Sequence, residues 1–116
     1  MLVTVRHLTR EDYREASCLY DDEELLEFVK GVVRNNNAIT VADMEILNNS
    51  ENGMLSEAFE NTNSITGPWY LNNNVTPSDI ARGGCRSTSA GDIIQIRGVM
   101  FMVARFGFKK LEENKC

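Results

Sequence analysis

Two polar stretches carry the side chains best suited to chemistry. One is Thr62-Asn63-Ser64-Ile65-Thr66-Gly67-Pro68-Trp69-Tyr70-Leu71-Asn72, and the other is Arg86-Ser87-Thr88-Ser89-Ala90-Gly91-Asp92. Between them they offer hydroxyls, carboxamides, an indole, a guanidinium and glycine-permitted backbone N–H groups. Such groups hold phosphates and nucleobases: arginine forks and N–H nests take oxyanions, aromatic faces stack on bases, and Asn reads base edges. The candidate ligand-binding residues are Asn63, Trp69, Asn72, Arg86, Ser87, Ser89 and Asp92. A plain structural reading competes with this one. Ser and Thr ahead of Gly-Asp can make a side-chain-to-backbone turn that starts a hairpin, Trp69 can plug a core, and Asn63 can cap a turn.

Other site chemistries have little to stand on. The Gly-Lys-Ser/Thr ending of a P-loop is missing. The cysteines, Cys18, Cys85 and Cys116, are odd in number and widely spaced, without a C-x-x-C pair, so neither a disulfide framework nor a structural zinc site is expected. His7 is the only histidine, so a metal site or a nucleophile–base triad would rest on it alone, and it reads as a strand-end residue near solvent. Asp92 beside Ser87 and Ser89 is too little for a nucleophile–base–orienter set. Cys85 next to Arg86 has a cation to lower its pKa, but the sequence names no base for it. The chain is expected to be neither an enzyme nor a holder of metal or cofactor.

Charge is unevenly placed. Residues 1–60 hold five Lys/Arg against thirteen Asp/Glu, a balance of −8, and residues 61–116 hold seven against four, a balance of +3. An acidic whole, net −5, disfavours nucleic-acid binding, which needs clustered cations. The positive half can still take a compact anion. Asp21-Asp22-Glu23-Glu24 reads as dipole-compatible acids at a helix start, with an acidic contact as the other reading.

The elements that must position these groups fit one domain of 116 residues, 42% hydrophobic and 25% charged. Residues 2–6 alternate as a short strand. Thr9 reads as an N-cap for a helix from about Arg10 to Tyr20. Asp21 and Asp22 cap a second helix, with Leu25, Phe28, Val29, Val32 and Val33 at helical spacing and Asn35-Asn36-Asn37 as its stop. Residues 38–48 are ambiguous: Ala38-Ile39-Thr40-Val41 has strand character, whereas Thr40 with Asp43 reads as a helix start, and a short helix is preferred. Asn48 to Gly53 is a turn, and Met54 to Phe59 a strand or helical turn. The apolar groups of residues 61–74 must be pinned onto the body. Thr76-Pro77-Ser78-Asp79 opens a short helix stopped by Gly83-Gly84. Asp92–Ile96, the turn Arg97-Gly98 and Val99–Ala104 form a hairpin, with a further bend or strand at Phe106-Gly107-Phe108.

The expected fold is α+β, a small antiparallel sheet with a C-terminal hairpin packed against N-terminal helices. The single domain 1–116 divides into an acidic helical half (1–60), a polar loop plus β-hairpin half (61–111) and a polar tail (112–116). No apolar run reaches membrane-spanning length, and the opening residues lack the pattern of a signal peptide, so a cytoplasmic place is expected. The N-x-[ST] matches at Asn48 and Asn74 are chance matches in that setting.

The order Thr62-Asn63-Ser64-Ile65, Pro68-Trp69, Asn72, Val75, then Arg86-Ser87-Thr88-Ser89-x-Gly91-Asp92, then Gly98 and Phe106-Gly107-Phe108 resembles a group of small phage-encoded proteins, also found in prophage-bearing bacteria. The likeness covers about residues 59–111. It implies viral origin, and that the matching polar residues are the group's shared site or its shared turn. From this follows the expected function: a phage-encoded, non-catalytic binding protein in the host cytoplasm that counters host defence by binding or sequestering a small nucleotide-type ligand. The alternative is an acidic inhibitor of a host enzyme, acting by charge complementarity or DNA mimicry. Self-association into a homo-oligomer is a further expectation.

Overall fold

A computed structural model describes residues 1–64 and 67–111. The chain runs β1 (Leu2–His7), α1 (Arg10–Ala16), α2 (Asp22–Arg34), β2 (Ile39–Glu45), α3 (Glu51–Asn61), a 3-10 turn (Trp69–Leu71), β3 (Thr76–Pro77), α4 (Asp79–Arg82), β4 (Ile93–Ile96), β5 (Val99–Val103) and β6 (Phe108–Lys110). The strands form one antiparallel sheet in the order β3-β2-β1-β4-β5-β6. The α+β class and the C-terminal hairpin against helices are as the sequence implies.

Alternation along the strands splits the core in two. Val3, Val5, Ile94 and Phe101 point to one face and pack with Leu55 and Ala58 of α3 and with Trp69. Ile93 and Met102 point to the other and meet Leu8 with Leu25, Val29 and Val32 of α2. The α2 stripe is the periodicity read from the sequence, and each such fully buried aliphatic side chain stabilises the fold by about 1.5–3 kcal/mol. Side-chain caps start the longer helices: Thr9 on Asp12 N–H, Asp21 on Glu23 N–H, and Ser50 on Gly53 N–H.

The hairpin β4–β5 closes through Arg97 and Gly98, at φ 52° and 79°. Two successive positive φ values match the right-handed strand twist, the reason two-residue turns favour this geometry. Gly91, at φ 98°, is needed twice over, because a Cβ there would sit 2.9 Å from Leu8 Cδ1.

Several local expectations are corrected. Residues 39–45 are a strand, not a helix: β2 pairs with β1 along its length, and a bulge beside Val5/Arg6 absorbs one residue. The β-branched Ile39-Thr40-Val41 outweighs the Thr40/Asp43 helix signal once a partner strand is present. α1 stops at Ala16, short of Tyr20. The helix starting at Glu51 absorbs Asn52 and Gly53 from the expected turn. Ser78 rather than Thr76 caps α4, because Thr76 and Pro77 pair with Asp43 and Ala42 at the sheet edge, where a proline is tolerated. Ile65, Thr66 and the tail 112–116 lie outside the described residues.

Candidate functional site

The site gathers where β1 ends and β4 begins. His7 closes β1, Leu8 follows it, and the loop Gly83–Asp92 crosses the same sheet end before entering β4. Thr62, Ser64 and Trp69 each bond to that loop. Thr88 N–H donates to Thr62 O (2.9 Å), Ser64 N–H to Ser87 Oγ (2.9 Å), and Trp69 Nε1–H to Arg86 O (2.8 Å). The two stretches singled out in the sequence do converge.

Asp92 is the hub and is fully buried. Its Oδ1 accepts from Leu8 N–H (3.0 Å) and Arg86 Nη2 (2.7 Å), and its Oδ2 from Ser89 N–H (2.8 Å) and Arg86 Nη1 (2.5 Å). This two-pronged contact is the strongest geometry an Arg–carboxylate pair adopts. The other face of the guanidinium lies 3.9 Å from the centre of the Tyr13 ring, a cation–π contact. Burial opposes the Arg86 charge, and the hydrogen bonds and negative charge of Asp92 more than offset it, raising its pKa above the ordinary value. A buried charge is tolerated only when paired and bonded in this way.

His7 is buried, not near solvent as its strand-end position implies. Its Nε2 is 2.7 Å from Thr88 Oγ1, its Nδ1 is 3.5 Å from Cys85 Sγ, and its ring meets the Trp69 indole edge-on with centroids 6.3 Å apart. Nε2 also lies 3.8 Å from Asp92 Oδ2, within ion-pair distance. Burial nevertheless lowers the imidazole pKa to about 4, the pull of Asp92 and the push of Arg86 being smaller, so near neutral pH the contact is between a neutral ring and a carboxylate. Burial also raises the Cys85 thiol, which Arg86 only partly opposes.

The seven residues nominated from the sequence separate into two groups. Trp69, Arg86, Ser87, Ser89 and Asp92 meet around this hub. Asn63 and Asn72 do not: Asn63 Nδ2 donates to Phe59 O (2.6 Å) at the end of α3, and Asn72 Oδ1 accepts from Asn74 N–H (3.0 Å) in a turn. Trp69 is only 2% exposed. Ser89 Oγ is buried without a hydrogen-bond partner among the described residues. A ligand anion at Arg86 would have to displace Asp92 from the fork.

Two participants escaped the sequence reading. His7 sets a ring nitrogen 3.5 Å from the Cys85 sulfur, and Tyr13 supplies the ring beneath Arg86. The usable signal for Tyr13 was its helical spacing from the buried Ala16, which puts both on one stripe of α1; for His7 there was none, since it lies 78 positions from Cys85.

Elsewhere, the Ala104–Gly107 turn sets Arg105 beside the start of α2, with Phe106 following it in sequence. Arg105 N–H donates to Asp22 Oδ1 (2.9 Å), its guanidinium bonds the carbonyls of Leu19 and Ala16, and it lies 5.5 Å from the Tyr20 ring centre. Tyr20 is 83% exposed and Phe106 90%. At the far end of β4, a hollow of about 560 Å³ is lined by Met1, Leu47, Asn48, Met54, Arg97 and Phe101, among others. Among the described residues no group of His, Cys, Asp and Glu could hold a metal ion, and no helix is long and apolar enough to cross a membrane. No family, curated protein or solved structure matches the chain.

Proposed function

We propose that this chain is a non-catalytic binding protein of phage origin that counters host defence by docking onto a basic surface of a host protein. The observation that carries the reading is a pair of exposed aromatic side chains, Tyr20, 5.5 Å from the Arg105 guanidinium, and Phe106, next to Arg105 in sequence, with that arginine fixed by backbone bonds. Tyrosine, arginine and other aromatic residues dominate the few positions that supply most binding energy at interfaces. Exposed acids adjoin them, with Asp21 next to Tyr20 and Glu23 and Glu24 in the first turn of α2. A negative rim around an aromatic centre speeds encounter with a positive partner and makes binding salt-dependent.

Capture from host lysate, followed by titration of the purified partner at rising salt, tests this. Tyr20→Ala with Phe106→Ala, and separately Asp21→Lys with Glu23→Lys and Glu24→Lys, should each weaken capture at least tenfold. Asp22 is left intact because it holds the Arg105 turn. A partner bound equally well by both variants would end the reading.

A second reading keeps the small nucleotide-type ligand but seats it at the other end of β4. The hollow beside Arg97 has a volume typical of ligand sites and combines apolar walls with Asn48, Asn49 and a guanidinium. Isothermal titration with cyclic di- and trinucleotides and ADP-ribose derivatives, on the native chain and on Arg97→Ala, separates it from the first. Heat that disappears in Arg97→Ala favours it, and silence from every compound removes it.

A further inference from the structure

We propose that the hollow at the far end of β4 is a site for an alkyl monocarboxylate, its aliphatic chain held by the walls and its carboxylate by Arg97. The site lies apart from the Tyr20 and Phe106 surface, and its ligand differs from the nucleotide considered for the same hollow.

The walls set the apolar end. A volume of about 560 Å³ falls within the range of small-molecule sites. Met1, Leu47, Met54, Ile96 and Val99 make the lining largely aliphatic. Methionine side chains adapt to irregular, unbranched shapes. Among the described residues Phe101 is the only aromatic one in the lining, and at 4% exposure it offers no open face for a base to stack on. An aliphatic chain therefore matches these walls better than a nucleobase. Leu47 is 87% exposed, an apolar side chain that folding leaves in water, so a ligand that covers it gains binding energy.

Arg97 sets the polar end. It stands in the hairpin turn at φ 52°, the left-handed region that Asn, Asp and Gly enter at least cost. Among the described residues its guanidinium has no carboxylate within ion-pair distance. Its Nε donates to the Met1 thioether at 3.3 Å, a weak acceptor. The fold thus keeps a strained arginine whose charge it does not use, and such strain points to function. The planar fork matches a carboxylate with two parallel N–H bonds. Glu51 also lines the hollow. One arginine against one glutamate leaves no surplus positive charge for the two phosphates of a cyclic dinucleotide or of ADP-ribose, whereas a single carboxylate needs only the fork.

Equilibrium dialysis of the native chain against decanoate tests the site, with decanol as the same chain without charge. Decanoate should bind, and decanol about tenfold more weakly or worse. Shorter acids should lose about fourfold in affinity for each CH₂ removed, the worth of burying one methylene. Arg97→Asn removes the charge and puts into the turn a residue suited to positive φ. It should resist urea at least as well as the native chain, yet bind decanoate about tenfold more weakly. Leu47→Ser, at an exposed position, should weaken binding severalfold with stability unchanged. No saturable uptake of decanoate up to about 1 mM overturns the proposal, as does decanol binding equally well. Both measurements use the native chain and stand even if a variant does not fold. Undiminished binding in folded Arg97→Asn overturns the site as described. Uptake of cyclic dinucleotides or ADP-ribose with none of decanoate overturns it in favour of the nucleotide.

Discussion

Two arginines sit against two tyrosines in this molecule, and they meet different fates. Arg86 lies on Tyr13 with both prongs of its fork on a carboxylate that solvent cannot reach. Arg105 lies by Tyr20, spends its N–H groups on backbone carbonyls, and stays at the surface. The same pair of residue types thus closes one region and opens another. The difference lies in the acid: Asp92 sits at the entry to a central strand and must be neutralised, whereas Asp22 begins a helix facing water and needs only a backbone N–H. Polar composition alone therefore does not mark a binding site. What matters is whether hydrogen-bonding capacity is left over after folding.

The contrast can be broken most severely at Asp92. Asp92→Ala leaves the partly buried Arg86 charge and the Leu8 and Ser89 N–H groups without their acceptor and should cost about 2–4 kcal/mol in urea unfolding, a large share of a small domain's stability. The pH dependence comes next. The folded pKa of His7 is about 4 against an ordinary value of 6.5. Between those values the unfolded chain binds a proton that the folded one refuses, so this contribution is complete above about pH 6.5 and is lost as pH falls toward 4. Within that window the slope is about 1.4 kcal/mol per pH unit at most, and His7→Gln should flatten it. Trp69→Phe keeps most of the apolar bulk but removes the donor to Arg86 O, and should cost about 1–3 kcal/mol in the same assay. At the open region, Tyr20→Ala and Phe106→Ala should each shift stability by no more than about 0.5 kcal/mol while weakening partner binding. If those substitutions destabilise the fold as much as Trp69→Phe, the two regions are not the opposites described.

Much of this was legible in the residues, for reasons that can be named. α2 was readable because Leu25, Val29 and Val32 recur at helical spacing between Asp21 and Asn35. The β4–β5 hairpin was readable because its turn and its alternation agree. β2 was not, since its local sequence fits a helix start and only pairing with β1 decides otherwise. The convergence of the two polar stretches could be expected, and so could Trp69 as a core plug and Asn63 as a cap, but the bonding pattern that satisfies the rest could not. It depends on Leu8 N–H and Thr62 O, backbone groups whose positions no side-chain pattern encodes.

The place of β1 has a consequence for how the chain comes to be made. Of the six strands β1 is synthesised before the others, yet it is held between β2 and β4, and Val3 meets Ile96 only after more than ninety further residues have been added. Until then one edge of Val3 and Val5 has no neighbour, and the nascent chain must keep that edge from pairing with other chains. Closure over so long a separation makes for slow folding, so the rate should respond to substitutions in Ile93–Ile96 more than to changes within the locally formed α2.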